Sequence, residues 1–172
     1  MIRSVAEFTG YFDGVRRRTV GFFGAVPTGE IDWAPRPGEF TCGDIIRHLA
    51  ASETMFVGAA VEGRWRYRGH DRSRGATLED ALAHLDRSHA EARATLARMG
   101  DADLLAPRPA LEGGAGIVKA WRLLMAMVEH EAHHRSQLAS YLTLLGVEAP
   151  DIFGLGVEDV VRLTSATAGR QA

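Results

Sequence analysis

One periodicity dominates this chain and leaves little room for any fold but a helical one. Val5, Phe8, Phe12, Val15, Thr19, Phe22 and Phe23 recur at three- and four-residue spacing, and Pro27 with Gly29 closes the segment. A second helix is predicted to open at Thr41 as N-cap. Asp44 stands three residues on, in the position of a capping box, and Ile45, Ile46, Leu49, Met55, Phe56 and Val57 follow as far as Gly63. The same start signal returns as Thr77 and Asp80, followed by Leu78, Leu82, Leu85, Ala92 and Leu96 towards Gly100. The fourth and best-defined pattern runs from Ile117 through Trp121, Leu124, Met125, Val128, Leu138, Tyr141, Leu142 and Leu145, with Gly146 at a C′ position. A short helix over Val157 to Leu163 follows, and residues 165–172 read as a frayed tail.

Between these segments lie Trp33 to Gly38, where two prolines exclude a helix, the Arg-rich connection Arg64 to Gly75, and the Pro- and Gly-rich stretch Asp101 to Gly116. No run of alternating strands competes with the helices. Four long amphipathic helices predict an all-α fold, a four-helix bundle with long crossover connections and a short C-terminal helix, as one domain over residues 1–172. The connection between the second and third helices is too long for a tight turn. It can carry the chain the length of the bundle, which would leave two neighbouring helices parallel.

Composition narrows the function classes. The chain is 46% hydrophobic and 24% charged, as expected of a globular protein, and its net charge of -2 argues against wholesale binding to nucleic acid or an acidic membrane. One cysteine, Cys42, excludes an intrachain disulfide and suits a reducing compartment. Glu7 interrupts the start, no apolar run follows it, and no stretch approaches the roughly 18 apolar residues of a membrane span. The expectation is a soluble, cytoplasmic protein.

Chemistry concentrates in His130-Glu131-Ala132-His133-His134. Imidazoles four residues apart on a helix point the same way, so His130 and His134 can share one metal ion. An open zinc or nickel site needs a further protein ligand. His70 lies in the Arg-rich connection, a poor platform, and His84 and His89 diverge by roughly 140° around their helix. His133 could replace His134 by three-residue spacing. His48 fits best as the ligand from another helix, since it follows Ile45 and Ile46 on an apolar face, with Asp44 four residues back as a carboxylate that could orient its ring.

The motif Thr41-Cys42-Gly43-Asp44-Ile45-Ile46-Arg47-His48-Leu49, followed by His130-Glu131-Ala132-His133-His134-Arg135-Ser136-Gln137-Leu138, resembles the DinB-like (DinB/YfiT) metal-binding bundle family. That family includes thiol-dependent S-transferases and the mycothiol-dependent maleylpyruvate isomerase. The resemblance spans the second to fourth helices. Gln137 and Tyr141-Leu142 through Gly146 also look like its helix ending, whereas Ser136 stands where the family commonly has glycine. It implies a divalent ion, zinc or nickel, held by His48, His130 and His134. It further implies a low-molecular-weight thiol acting on a small-molecule electrophile, and a homodimer.

Other readings compete. His-Glu-x-x-His is also the metalloprotease signature, with Glu131 activating water and Glu158 as a distant acidic ligand. Such enzymes flank the motif with a sheet edge, and no strand is expected here. A metal-stabilised bundle without catalysis is a third reading. Basic residues interleaved with aromatics in Arg64-Trp65-Arg66-Tyr67-Arg68 could grip nucleic acid, yet near-neutral total charge favours a solvated crossover covering the bundle end, or an anion site at its mouth. Cys42 near a helix start could be a reactive thiol, although plain packing is the commoner role for such a residue.

Overall fold

The computed structural model describes residues 2–114 and 116–168, with side chains only to residue 165 at the C-terminal end. Four long helices, α1 (Val5–Gly24), α2 (Cys42–Glu62), α3 (Leu78–Leu96) and α4 (Ala120–Leu144), form the bundle, and a short α5 (Val157–Ala168) follows. Their ends are set by local chemistry. Thr41 and Asp44 make a reciprocal capping box on α2, each side chain accepting the other's backbone N–H at 3.0 Å. Thr77 caps α3 by accepting from the Asp80 N–H, but the Asp80 carboxylate takes the Thr77 hydroxyl instead of closing the box. Gly146, with φ 72°, ends α4 in a Schellman arrangement in which the Val147 N–H reaches back to the Leu142 carbonyl.

Ion pairs along the helices define the topology. Arg47 at the start of α2 bonds the Gly75 carbonyl just before α3, Glu53 meets His89, and Glu62 meets Arg98. Positions therefore rise together along both helices, and α2 and α3 are parallel neighbours, as the length of their connection predicted. By contrast, Phe56 packs on His130 while His48 packs on His134, so α2 and α4 are antiparallel. The connection over 64–75 must return the full length of α2. It lies along that helix as a strap, pinned by Arg47, whose buried guanidinium donates to the His70 carbonyl (3.0 Å), the Gly75 carbonyl (2.7 Å) and the Asp44 carboxylate (2.8 Å). Gly75 closes the strap with φ 153°, where a Cβ would sit 2.6 Å from the Ala81 backbone.

The aromatic and aliphatic residues of the expected helical stripe fill two clusters. Phe8, Phe12, Val57, Leu96 and Leu124 pack at one end of the bundle, and Phe22, Ile45, Leu49, Leu85, Leu138 and Leu142 at the other. Between them lies a buried charged layer that periodicity did not reveal. Arg16 of α1 reaches Glu53 of α2 and Glu131 of α4, both at 2.8 Å, and His89 of α3 lies 2.7 Å from Glu53. All four helices thus contribute to one ionic knot.

Two expectations are corrected. α4 begins at Ala120, not Ile117, because Ile117–Lys119 pairs antiparallel with Pro107–Pro109 in a small two-stranded ribbon, β1 and β2. Pro107 and Pro109 lie on this two-stranded edge, where prolines are tolerated. The expected frayed tail at 165–172 is helical up to Ala168, and its remainder lies outside the described residues. No helix among the described residues is long and apolar enough to cross a membrane.

Replacing Arg16 by Met strands two carboxylates in the core and is expected to cost about 3–5 kcal/mol in urea unfolding. The Glu53 hydrogen bond raises the His89 pKa above its ordinary 6.5, against the opposing effect of burial. Its contribution is therefore complete below pH 6.5 and is lost as pH rises through the raised folded value. The stability gap between wild type and His89→Gln should be wide at pH 5.5 and narrow at pH 8.5; equal gaps would show that His89 is not bound as a cation.

Candidate metal centre

The α2–α4 contact builds the site. His48 lies on α2 between the apolar Ile45 and Leu49 and the small Ser52, while His130 and His134 occupy successive turns of the facing α4. One nitrogen from each of the three rings lies within 4.8 Å of the others, and the Nε2 atoms of His48 and His130 are 3.0 Å apart. Among the described residues, these three form the clustered metal-ligating group. His133 is exposed on the neighbouring face and stays outside it, so the four-residue spacing, not the three-residue one, is used.

Hydrogen bonds away from the centre orient two of the rings. Gln137 donates its amide N–H to the Tyr141 hydroxyl at 3.0 Å, which turns its carbonyl oxygen to His134 Nδ1 at 2.9 Å. His134 Nδ1–H must donate to that oxygen, leaving Nε2 as a bare lone pair. Tyr67, from the strap, does the same for His48. Its hydroxyl is 2.7 Å from His48 Nδ1 and 2.5 Å from His70 Nδ1. A phenol has one proton, so the consistent chain runs from His48 Nδ1–H to the Tyr67 oxygen and from the Tyr67 O–H to His70 Nδ1. Burial pushes the Tyr67 phenol up to about 12, so it stays a neutral phenol rather than a phenolate. Phe40 roofs the site, its ring 5.2 Å from that of His48 and 4.6 Å from that of His70.

Burial disfavours charge on all three imidazoles, and neighbouring histidines add repulsion at His48 and His130. His48 is pushed down to about 3 and His130 to about 4, and His134 is lowered too. Three neutral imidazoles with lone pairs converging suit a divalent cation. Zinc sits about 2.0–2.1 Å from each histidine nitrogen, so tetrahedral partners are separated by roughly 3.3 Å, close to the 3.0 Å between the Nε2 atoms of His48 and His130. The donor set fits zinc or nickel and leaves further coordination positions open.

Other expectations fare differently. Asp44 does not orient His48, because its carboxylate is engaged by the Thr41 N–H and by Arg47. Tyr67 takes that role, and neither it nor His70 was singled out for the site, since no periodicity marks a contact made by a strap. Glu131 does not face the histidines. It is 1% exposed, turned into the core against Arg16, and burial raises its carboxyl, so it cannot activate water as the metalloprotease signature requires. The helical repeat explains this, since residue 131 lies about 100° around α4 from residue 130. No carboxylate among the described residues joins the cluster, and Glu158 on α5 stays outside it. Cys42 is fully buried, and burial raises its thiol to about 11, which removes it as a nucleophile.

Comparison with known proteins agrees with the fold and gives the family. The model of the DinB superfamily matches residues 11–138. A DinB-like protein from Bacillus cereus ATCC 10987 superposes with a TM-score of 0.71 at 16% identity, covering 88% of this chain and 99% of its own. The DinB-like YjoA of Bacillus subtilis gives 0.67 at 18% identity, covering 85% and 96%. YfiT from Bacillus subtilis, described as a probable metal-dependent hydrolase with an unusual four-helix bundle topology, gives 0.63 at 19% identity, covering 83% and 90%. No curated protein matches the sequence significantly.

Metal analysis of the purified protein should find about one divalent ion per chain. His48→Ala and His130→Ala should lose it, and Glu131→Gln should keep it. Tyr67→Phe should retain stoichiometry but weaken affinity by about 10–100-fold. Full affinity in Tyr67→Phe would remove the strap from the site.

Proposed function

The chain belongs to the DinB superfamily, and we propose that it is a metal-dependent enzyme that joins a low-molecular-weight thiol to a small electrophile, by transfer or by addition and elimination. The metal dependence rests on the convergence of three neutral imidazoles from α2 and α4, and the thiol chemistry on the family resemblance. A divalent ion held by His48, His130 and His134 would supply a Lewis acid that favours the thiolate near neutral pH.

The chain's own residues define what surrounds that event. Gln137 and Tyr67 fix the tautomers of His134 and His48, so their lone pairs need no reorganisation. The Tyr67–His70 pair lies at the rim, where His70 can accept and pass on a proton released from an incoming nucleophile through Tyr67. Phe40 and the strap limit water on one side while leaving the His48 and His130 edges partly open.

A second reading follows from YfiT, described as a probable metal-dependent hydrolase. The same open site could activate water, with the Tyr67–His70 pair as proton acceptor in place of Glu131. We further propose that the protein works as a cytoplasmic homodimer without nucleic-acid or membrane partners, in keeping with the family resemblance and the charge balance. A third reading is a metal-bound bundle with no catalytic role.

Thiol consumption separates these readings. Metal-loaded protein incubated with glutathione, mycothiol or bacillithiol and a reactive electrophile should consume one of them, and His130→Ala should not. Ester or amide cleavage without thiol consumption would favour the hydrolase. Neither activity, with metal bound, would leave the non-catalytic role.

A further inference from the structure

The strap has a second side. Tyr67 and His70 face the α4 groove, whereas Arg64, Arg66 and Arg68 line the opposite groove, between α2 and α3. Lower in that groove Arg68, Arg74, His84 and Arg87 surround a cavity of about 240 Å³, also lined by Thr54 and Ser88. One carboxylate, Glu91, also lines it and pairs with Arg68 at 3.1 Å. Arg87 makes no ion pair among the described residues, and the nearest carboxylate to Arg74 Nε is Asp71 at 3.8 Å, beyond hydrogen-bonding distance. The cavity therefore holds an excess of cationic groups over Glu91.

Two of its polar atoms are buried and unsatisfied. Arg74 Nε and His84 Nε2 are shielded from solvent with no hydrogen-bond partner. Each forfeits its hydration without gaining a protein partner, and both belong to side chains lining this one cavity, where a bound acceptor would satisfy them. A chain of net charge -2 has no general need for a cluster of arginines at one place.

We propose that this α2–α3 cavity binds a compact, multiply charged oxyanion: a phosphate ester or diphosphate, or an oligocarboxylate. The guanidinium groups of Arg74 and Arg87 match the paired oxygens of such ions, His84 offers a further N–H in its Nε2-protonated tautomer, and the Ser88 hydroxyl adds a donor, whereas that of Thr54 is already given to the Ala51 carbonyl. The site is separate from the histidine centre, which lies on the other flank of α2, and it does not depend on the thiol chemistry proposed above.

Isothermal titration of the full chain with inorganic pyrophosphate and, separately, tricarballylate tests this. Saturable binding of one per chain is expected for at least one probe, and the preferred probe identifies the ligand class. Arg87→Gln and Arg74→Gln should each weaken it about tenfold or more. Glu91→Gln should tighten it, a gain that misfolding cannot mimic. Arg36→Gln, in the distant Pro-rich loop, should change nothing, and binding should persist in His48→Ala. The proposal is overturned if neither probe binds saturably, if chloride at equal ionic strength displaces them (an adventitious ion only), or if Arg87→Gln and Arg74→Gln bind like wild type. Loss of binding in His48→Ala would assign the anion to the metal centre instead. Tighter binding of single-stranded oligonucleotide than of either probe would replace the small ligand with nucleic acid.

Discussion

Two parallel helices that follow each other in sequence must be joined by a connection as long as they are. That requirement, imposed here on α2 and α3, produces a strap that lies along α2 from its end back to its start. Arg47 holds it down by spending its buried guanidinium on two strap carbonyls and one carboxylate. A buried guanidinium with three charge-assisted bonds is strongly placed, and leaving those carbonyls without a donor would be costly. Because α2 stands between α3 and α4, a strap along it has one side towards each groove. Tyr67 and His70 fall on the side of the histidine centre and Arg64, Arg66, Arg68 and Arg74 on the other, while Arg72 pairs with Asp32 in the loop before α2.

The interior is organised by the Arg16 knot as much as by apolar burial. Two carboxylates, one guanidinium and one imidazole from four helices meet between the two apolar clusters. Such a layer gains little net stability over a hydrophobic one. Its effect is on register, because a helix slipped by one residue would leave a charge unpaired in the core. Glu131 and His130 are consecutive on α4, and Glu53 and His48 share α2, so the knot and the histidine centre are fixed by the same register. The Glu of His-Glu-x-x-His serves packing here, while the flanking histidines face the other way.

The histidine centre shows how a bundle can keep a site both rigid and open. Its three imidazoles stand on helices, the tautomers of His134 and His48 are set by Gln137 and Tyr67, and burial holds the rings neutral. The outer supports have different mobility. Gln137 stands on the same helix as His134, whereas Tyr67 arrives on the strap. Anything that shifts the strap changes the support of His48 and the disposition of Arg68 and Arg74 together.

Much of this was legible in the residues themselves. Helix positions, the Thr41 and Gly146 caps, the parallel pair implied by a long connection, and the shared face of His130 and His134 follow from spacing, because a helix repeats every 3.6 residues and its faces can be read off directly, whereas His48 joined them as the best-placed candidate and through the family resemblance. Tertiary structure alone decided the rest. Tyr67, His70 and Phe40 reach the site from non-periodic segments, so nothing local marks them. Asp44 was claimed by Thr41 and Arg47 before it could serve His48, and Glu131 was claimed by Arg16. Where several partners compete for one charged group, the winner is set by packing in three dimensions, and that information is not local to any stretch of chain.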